Sequence, residues 1–372
     1  MTRAIIGGGI AGCALMESFL FANQDVEMIH NRHSLMGSLT PTALFHPFPG
    51  RSLRPHRLLE QAVEKSQEPL QHWHSEFPHL LRFCCIERPL LGRSGDRLRK
   101  TYTHFWHNKE PAKWTQIRGP QPSKHPWINN EVIGYQPAAA VDLGTLLPLL
   151  WDKWAQQERL HRATAERIYR EDEHWWIECV SGIKLGPYKS ITFAIGASLR
   201  QWFPLLPVNE QGGELVVFRK PRRALTQIVS SNGVHIGAHH NGCLVAGSTR
   251  WSTEDRPPAE NAVPIIQQKL EHIMPGFPTC EAEAVWSGVR CNYSVNRLPS
   301  AGLIPHLPGL SVLGTLGSKG LLWGPLAAHQ LANCLVSGAT IDQAFELSKF
   351  LDGANSVEIW QSSQISARNH LP

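Results

Sequence analysis

A chain of 372 residues is long for one domain and ordinary for two interleaved ones. Its 42% apolar content excludes global disorder, and a net charge of +5 permits an anionic partner without demanding one. No run of about 18 uninterrupted apolar residues is present to span a membrane. The start, MTR running straight into an apolar strand, shows no charged-then-apolar leader, so a cytoplasmic location is expected. The eight cysteines lack CxxC spacing and read as buried or free thiols in a reducing compartment. Nineteen histidines form no HExxH, and His72 and His74 fall on different helix faces, so no metal site is expected.

In chain order, RAIIGGG (3–9) reads as a short buried strand running into glycines, and GGGIAG places Gly7, Gly9 and Gly12 in GxGxxG spacing around Ile10 and Ala11. Gly7 suits the tight turn, Gly9 the approach of backbone to a pyrophosphate, and Gly12 the packing of helix on strand. The following helix carries Leu15, Met16, Phe19 and Leu20 on one stripe and stops near Asn23. Val26 to Ile29 form a second strand. A dinucleotide fold expects an acid at its end, to hold two ribose hydroxyls; here stand His30 and Asn31. One imidazole nitrogen accepts at most one such bond, and Glu27 faces the other side of the strand.

In GSLTPTALFHPFPG (37–50), the small residues Gly37, Ser38 and Thr40 suit backbone approach to a pyrophosphate or ring; a proline-rich surface loop is the alternative. SITFAIGAS (190–198) is a strand whose Gly196 and Ala197 leave room for a cofactor. GELVVF (213–218), GVHIG (233–237) and CLVAG (243–247) read as strands between glycine and asparagine turns. Near the C-terminus, GTLGSKGLLWGPLAAHQLANCLVSG (314–338) forms a second strand–turn–helix element, with Gly317, Ser318, Lys319, Gly320 and Leu321 at its turn. A nicotinamide-only enzyme has no need of it. Arg32 would suit a 2′-phosphate and hence NADP, against which this element argues. Residues 345–372 are polar and carry no motif.

GGGIAG, VDLGTLLPLL (141–150), SITFAIGAS, LVAGST (244–249), SGVRCNYSVNRLPSAGLIP (287–305) and TLGSKGLLWGPLAA occur in an order that resembles the D-amino-acid oxidase superfamily of FAD-dependent oxidoreductases, which includes glycine and sarcosine oxidases. GVRC, NRLP and LGSKGLLWGPLAA look most like the FAD oxidase domain of the tRNA-modifying MnmC family, with Asn296, Lys319 and His329 departing from the usual Asp, Arg and Glu. The resemblance implies an α/β plus α+β fold. A Rossmann-like, glutathione-reductase-type FAD-binding domain would take 1–85, 142–205 and 292–345. An inserted antiparallel-sheet substrate domain would take 86–141 and 206–291, leaving 346–372 as a tail. It implies noncovalent FAD and oxidation of a C–N bond in a carboxylate-bearing amine, either a small amino acid or a carboxymethylaminomethyl-uridine of tRNA. A flavin-binding protein without catalysis is the remaining alternative.

Within that resemblance Arg290 is placed to fork onto a substrate carboxylate, which a guanidinium suits. Lys319 would set positive charge near the flavin, and Tyr293 would close over substrate or sit in the core. Cys291 reads as a buried thiol more readily than as a flavin attachment point. The basic clusters 51–57, 93–100 and 218–223, with Trp106, Trp114 and Trp127, would suit RNA if they shared one face; solvated charge and core tryptophans explain them equally well.

Overall fold

The computed structural model describes residues 1–50, 52–107, 115–203, 206–220, 225–252, 254–278, 280–293, 297–305, 307–347 and 364–366. They form two compact units: Met1–Leu39, Leu147–Gln211 and Val289–Pro372, and Thr40–Leu146 with Gly212–Gly288.

The first unit is built on a six-stranded sheet in the order Ser300–Leu303, Leu310–Gly314, Ser190–Phe193, Arg3–Ile6, Val26–Ile29, Leu160–His161. All its pairings are parallel except that of the Ser300–Leu303 edge. The central strands are apolar runs because parallel strands are covered on both faces; all four residues of Arg3–Ile6 are buried. Arg3 is tolerated there because its guanidinium donates to Ser190 Oγ and to the Leu335 carbonyl, each at 3.1 Å. The helix Ile10–Phe21 joins the first two strands as a βαβ crossover, and Asn23 beyond it takes the expected left-handed conformation at φ 53°. The helix Gly320–Ser337 packs on that opening helix and ends in left-handed Gly338. An antiparallel sheet of Lys184–Tyr188, His174–Cys179, Ala165–Glu171 and Gln364–Ser366 completes the unit.

The second unit is a ten-stranded sheet whose core is closed by the helix Ala262–Ile273. Ile266, Leu270 and Ile273 pack with Val216, Phe218, Ile236, Leu244 and Ala246. The expected strands appear as Val208–Phe218, Val234–Ala238 and Leu244–Gly247. Two details depart from expectation. Ile228–Ser231 pairs parallel with Leu81–Pro89, so the sheet is not purely antiparallel. Residues 40–85, expected with the nucleotide-binding segments, pack in the second unit, because Ala43–Phe45 and Leu81–Pro89 both pair with Glu131–Val141.

Candidate functional site

The glycine turn after the first strand is shaped by close backbone approach. A Cβ on Gly12 would stand 1.9 Å from the Gly7 carbonyl oxygen, so only glycine lets the helix sit this near the strand end. The helix begins with no side-chain cap and no acidic residue in its first turn. A Cβ built on Gly9 would meet only Ser38 within 4 Å, and the Ile10 amide donates to Ser38 Oγ at 3.1 Å. Beyond that one bond, the positive end of the helix dipole is left for an anion. Gly37, next to Ser38, lies against the Val289 carbonyl, and Met36 bridges to Val289. The 36–38 loop therefore runs beside the strand that carries Arg290.

His30 is not a solvent-facing clamp. It is 8% exposed, its ring lies 4.4 Å from that of Trp151, and the Trp151 indole donates to the Gly8 carbonyl at 2.9 Å. A Cβ on Gly8 would strike both rings, so the middle glycine of the turn is the seat of this stack. His30 Nε2 is buried and makes no hydrogen bond. Burial, aided by His33 and Arg162, pushes the ring down to about 4, so it is neutral at pH 7. Glu27 is occupied elsewhere, accepting from Tyr188 Oη and lying 2.8 Å from His161 Nε2. Asn31 donates to Thr164 Oγ1 at 3.1 Å.

A pH dependence follows. Between pH 6.5 and about 4 the unfolded chain binds a proton on His30 that the folded chain refuses, so this contribution is intact above pH 6.5 and is lost as pH falls. By pH 5 the loss is about 2 kcal/mol. His46, pushed by burial to about 3 in the second unit, adds its own share. In thermal melts from pH 7.5 to 5, His30→Phe is expected to lose less stability than the wild type; equal losses would show that His30 is not held neutral.

The far end of the sequence meets the near end here. A Cβ on Gly320 would stand 2.8 Å from Ile10 Cγ2, so the start of the C-terminal helix abuts the start of the opening one. The turn before it holds Thr315 at φ 55° and Gly317 at φ 56°. A left-handed β-branched residue costs roughly 1–3 kcal/mol, and Thr315 is held there by hydrogen bonds to the Leu298 carbonyl and Ser300 Oγ. The Gly317 amide donates to the Cys291 carbonyl, and the Asn292 side chain fills the space where a Gly317 side chain would be. Strand alternation puts half-buried Arg290 on the face it shares with Asn292. Lys319 donates to the Arg297 carbonyl at 3.2 Å; burial, aided by Arg297, lowers its ammonium.

The first unit thus gathers Gly7, Gly9, Ile10, Ala11, Gly12, Gly37, Ser38, Arg290 and the Gly317–Leu321 turn. Gly7 also lies against Ala194, just ahead of Gly196 and Ala197; Gly196 is at φ 58° with open space over it. Thr40 opens the second unit, where its hydroxyl bonds within Thr40–Thr42. Tyr293 is 6% exposed in the core of the first unit, on the opposite strand face from Arg290, and so cannot close over a substrate. Cys291 is likewise buried, and burial, with Glu210, pushes its thiol up to about 12. Trp127 packs on Phe277, and the Trp106 indole donates to the Leu53 carbonyl, both structural roles. Trp114, Arg51, residues 221–223 and Asn296 lie outside the described residues. Reading by spacing missed the trio Asp142, His239 and His240, whose ligand atoms lie within 4.8 Å of one another; the adjacent histidines of the GAHHNG turn were the available signal.

A largely parallel sheet opened by a strand, glycine turn, helix and strand, with a second glycine turn abutting the first, has the form of a dinucleotide-binding protein. Residues 3–334 match the FAD dependent oxidoreductase (DAO) family. The chain belongs to that family. Over 148 residues it is 30% identical to the tRNA 5-methylaminomethyl-2-thiouridine biosynthesis bifunctional protein MnmC of Maricaulis maris (strain MCS10), covering 40% of this chain and 24% of that protein. Over 158 residues it is 29% identical to the glycine oxidase of Geobacillus kaustophilus (strain HTA426), covering 42% of this chain and 40% of that protein. The matched stretches thus span less than half of either relative. The crystal structure of glycine oxidase from Geobacillus kaustophilus superimposes with a TM-score of 0.75 at 20% identity, over 100% of this chain and 99% of that one, a likeness of fold.

The residues present fit FAD. The helix start at Gly9 and Ile10, beside Ser38, suits a pyrophosphate, the unpaired His30 Nε2 suits one hydroxyl, and the open space over Gly196 admits a group beside the sheet.

Proposed function

We propose that this FAD-dependent oxidoreductase oxidises the C–N bond of a carboxylate-bearing secondary amine or amino acid. The observation that carries this reading is Arg290, a half-buried residue on the strand that runs beside the 36–38 loop and the Gly317 turn. Gly7–Gly12 and Ser38 would hold the pyrophosphate, His30 a ribose hydroxyl, and Gly317–Leu321 the ring. FAD there supplies the acceptor for a hydride from the carbon next to nitrogen. The protein's part is to orient that carbon through the carboxylate and to stabilise negative charge with Lys319. A dedicated protein base is not required.

The test is anaerobic. The FAD-reconstituted protein is mixed with glycine, sarcosine or iminodiacetate, and loss of the flavin's visible absorbance is followed. Bleaching by at least one carboxylated amine is expected. A protein that binds FAD and is bleached by none would be a non-catalytic flavin binder. The flavin should be released by denaturant, because the buried Cys291 thiol is protonated and poorly nucleophilic.

A second reading places the amine on tRNA, as carboxymethylaminomethyl-uridine. The similarity to MnmC supports it, and the helix Gly92–Phe105 exposes Arg93, Arg97 and Lys100. Incubation with tRNA that retains the carboxymethyl group, followed by nucleoside analysis, separates it from the small-substrate reading. Among the described residues no helix is long and apolar enough to cross a membrane, and the eight free thiols support a cytoplasmic location.

A further inference from the structure

The second unit contains a polar cluster that amine oxidation leaves unused. Asp142 precedes the helix Leu143–Gln156, and His239 and His240 lie in the turn between the strands Val234–Ala238 and Leu244–Gly247. Asp142 Oδ2 stands 3.3 Å from His239 Nε2 and 3.3 Å from His240 Nδ1. A tetrahedral cation with bonds of about 2.0–2.1 Å to nitrogen and oxygen separates its ligands by roughly 3.3–3.4 Å. Both measured edges match that spacing.

The hydrogen bonds around the cluster orient its atoms for the same purpose. Buried His239 Nε2 faces the Asp142 carboxylate oxygen at 3.3 Å, without the geometry of a good hydrogen bond. The other ring nitrogen, Nδ1, lies 2.9 Å from Asn241 Oδ1, which also accepts from the Cys243 amide. An oxygen that accepts from both assigns the ring proton to Nδ1, so in the neutral ring the Nε2 lone pair faces Asp142. The neutral ring and the Asp142 carboxylate thus aim two donor atoms at one point, which a proton or a metal cation can occupy. Asp142 is itself braced, with Oδ1 accepting from the Thr145 amide and Oδ2 from Thr145 Oγ1. Ligating histidines and carboxylates are commonly held by outer hydrogen bonds of this kind. His79 stands nearby, its ring 6.2 Å from that of His240.

We propose that Asp142 Oδ2, His239 Nε2 and His240 Nδ1 bind a divalent cation of the zinc class, with solvent completing the shell. Two imidazole nitrogens and one carboxylate suit such a metal better than magnesium or calcium. Its role is to pin the 239–242 turn to the start of the helix Leu143–Gln156. The proposal is independent of the amine-oxidase reading.

The experiment uses the full-length chain, stripped with chelator and titrated with Co²⁺ or Zn²⁺ alone, read by calorimetry and by the visible spectrum of tetrahedral Co²⁺. One tight equivalent per chain is expected. His240→Ala, which removes an exposed side chain, should weaken it by roughly 10-fold or more, with FAD binding retained as the folding control. Asp142→Asn, which keeps an acceptor for Thr145, should do the same. A wild type that takes up neither cation overturns the site, and so does a folded His240→Ala that binds as the wild type does. A loose uptake of several equivalents, unchanged by His240→Ala, marks scattered surface histidines and overturns it equally.

Discussion

Gly12→Ala is expected to abolish FAD binding at ordinary cofactor concentrations and to lower the melting temperature by roughly 5–10 °C. The added methyl would lie 1.9 Å from the Gly7 carbonyl oxygen and 3.0 Å from its carbon, both main-chain atoms of the turn. No rotamer offers escape, because Cβ has no torsion of its own. The helix would have to withdraw, yet its first residue is wedged against Gly320 and its buried face is Ile10 through Met16 and Phe19. Overpacking a well-filled site costs about 1–3 kcal/mol, and a backbone clash belongs at or above the top of that range. The shift also moves the helix's first amides, which start beside Gly9 and Ser38, so the cofactor is lost with the stability. Gly324→Ala supplies the contrast. Its Cβ would meet only Leu316 Cδ1 at 3.5 Å, an ordinary contact inside a helix, so alanine should stabilise by about 0.5–1 kcal/mol. Isothermal titration with FAD and thermal melts on the two variants check both halves. A Gly12→Ala protein that binds FAD as the wild type does would remove the close approach as the reason for the motif.

What could be read from the sequence was what depends on neighbours along the chain. The strand–glycine–helix–strand opening, the left-handed Asn23 and the three apolar strands between residues 208 and 247 follow from local turn chemistry and periodicity. The second glycine turn was legible for the same reason. Long-range pairing was not. Nothing local says that Ala43–Phe45 will pair with Ala139–Val141, and that pairing draws residues 40–85 out of the segment order first expected. The same holds for His239 and His240 meeting Asp142, and for Trp151 folding back over His30 and Gly8. Tyr293 is a different case. Strand alternation, applied from Arg290, puts Tyr293 with Cys291 on the other face, so its burial could have been anticipated. Thr315 could not, since a β-branched residue in the left-handed region is set by the hydrogen bonds around it.

Arg290→Ala should lower kcat/KM for a carboxylated amine by roughly 30-fold or more while leaving FAD bound. Deleting one partner of a buried, charge-assisted pair costs about 2–5 kcal/mol, and each 1.4 kcal/mol is tenfold in rate. Arg290→Lys should recover little, because an ammonium offers a point charge where the carboxylate needs two parallel donors. A structural role for Arg290 would leave a different signature. Its strand bridges to Met36 and, through the Cys291 carbonyl, binds the Gly317 amide, so a merely structural arginine would lower the melting temperature and loosen FAD together with turnover. The substrate itself supplies the last control. Against an amine of similar size without a carboxylate, wild type and Arg290→Ala should differ little, because the fork has nothing to hold. If the variant loses rate equally on both substrates, the guanidinium acts on something other than the carboxylate. If it loses rate on neither, the carboxylate is bound elsewhere, or the natural substrate carries none.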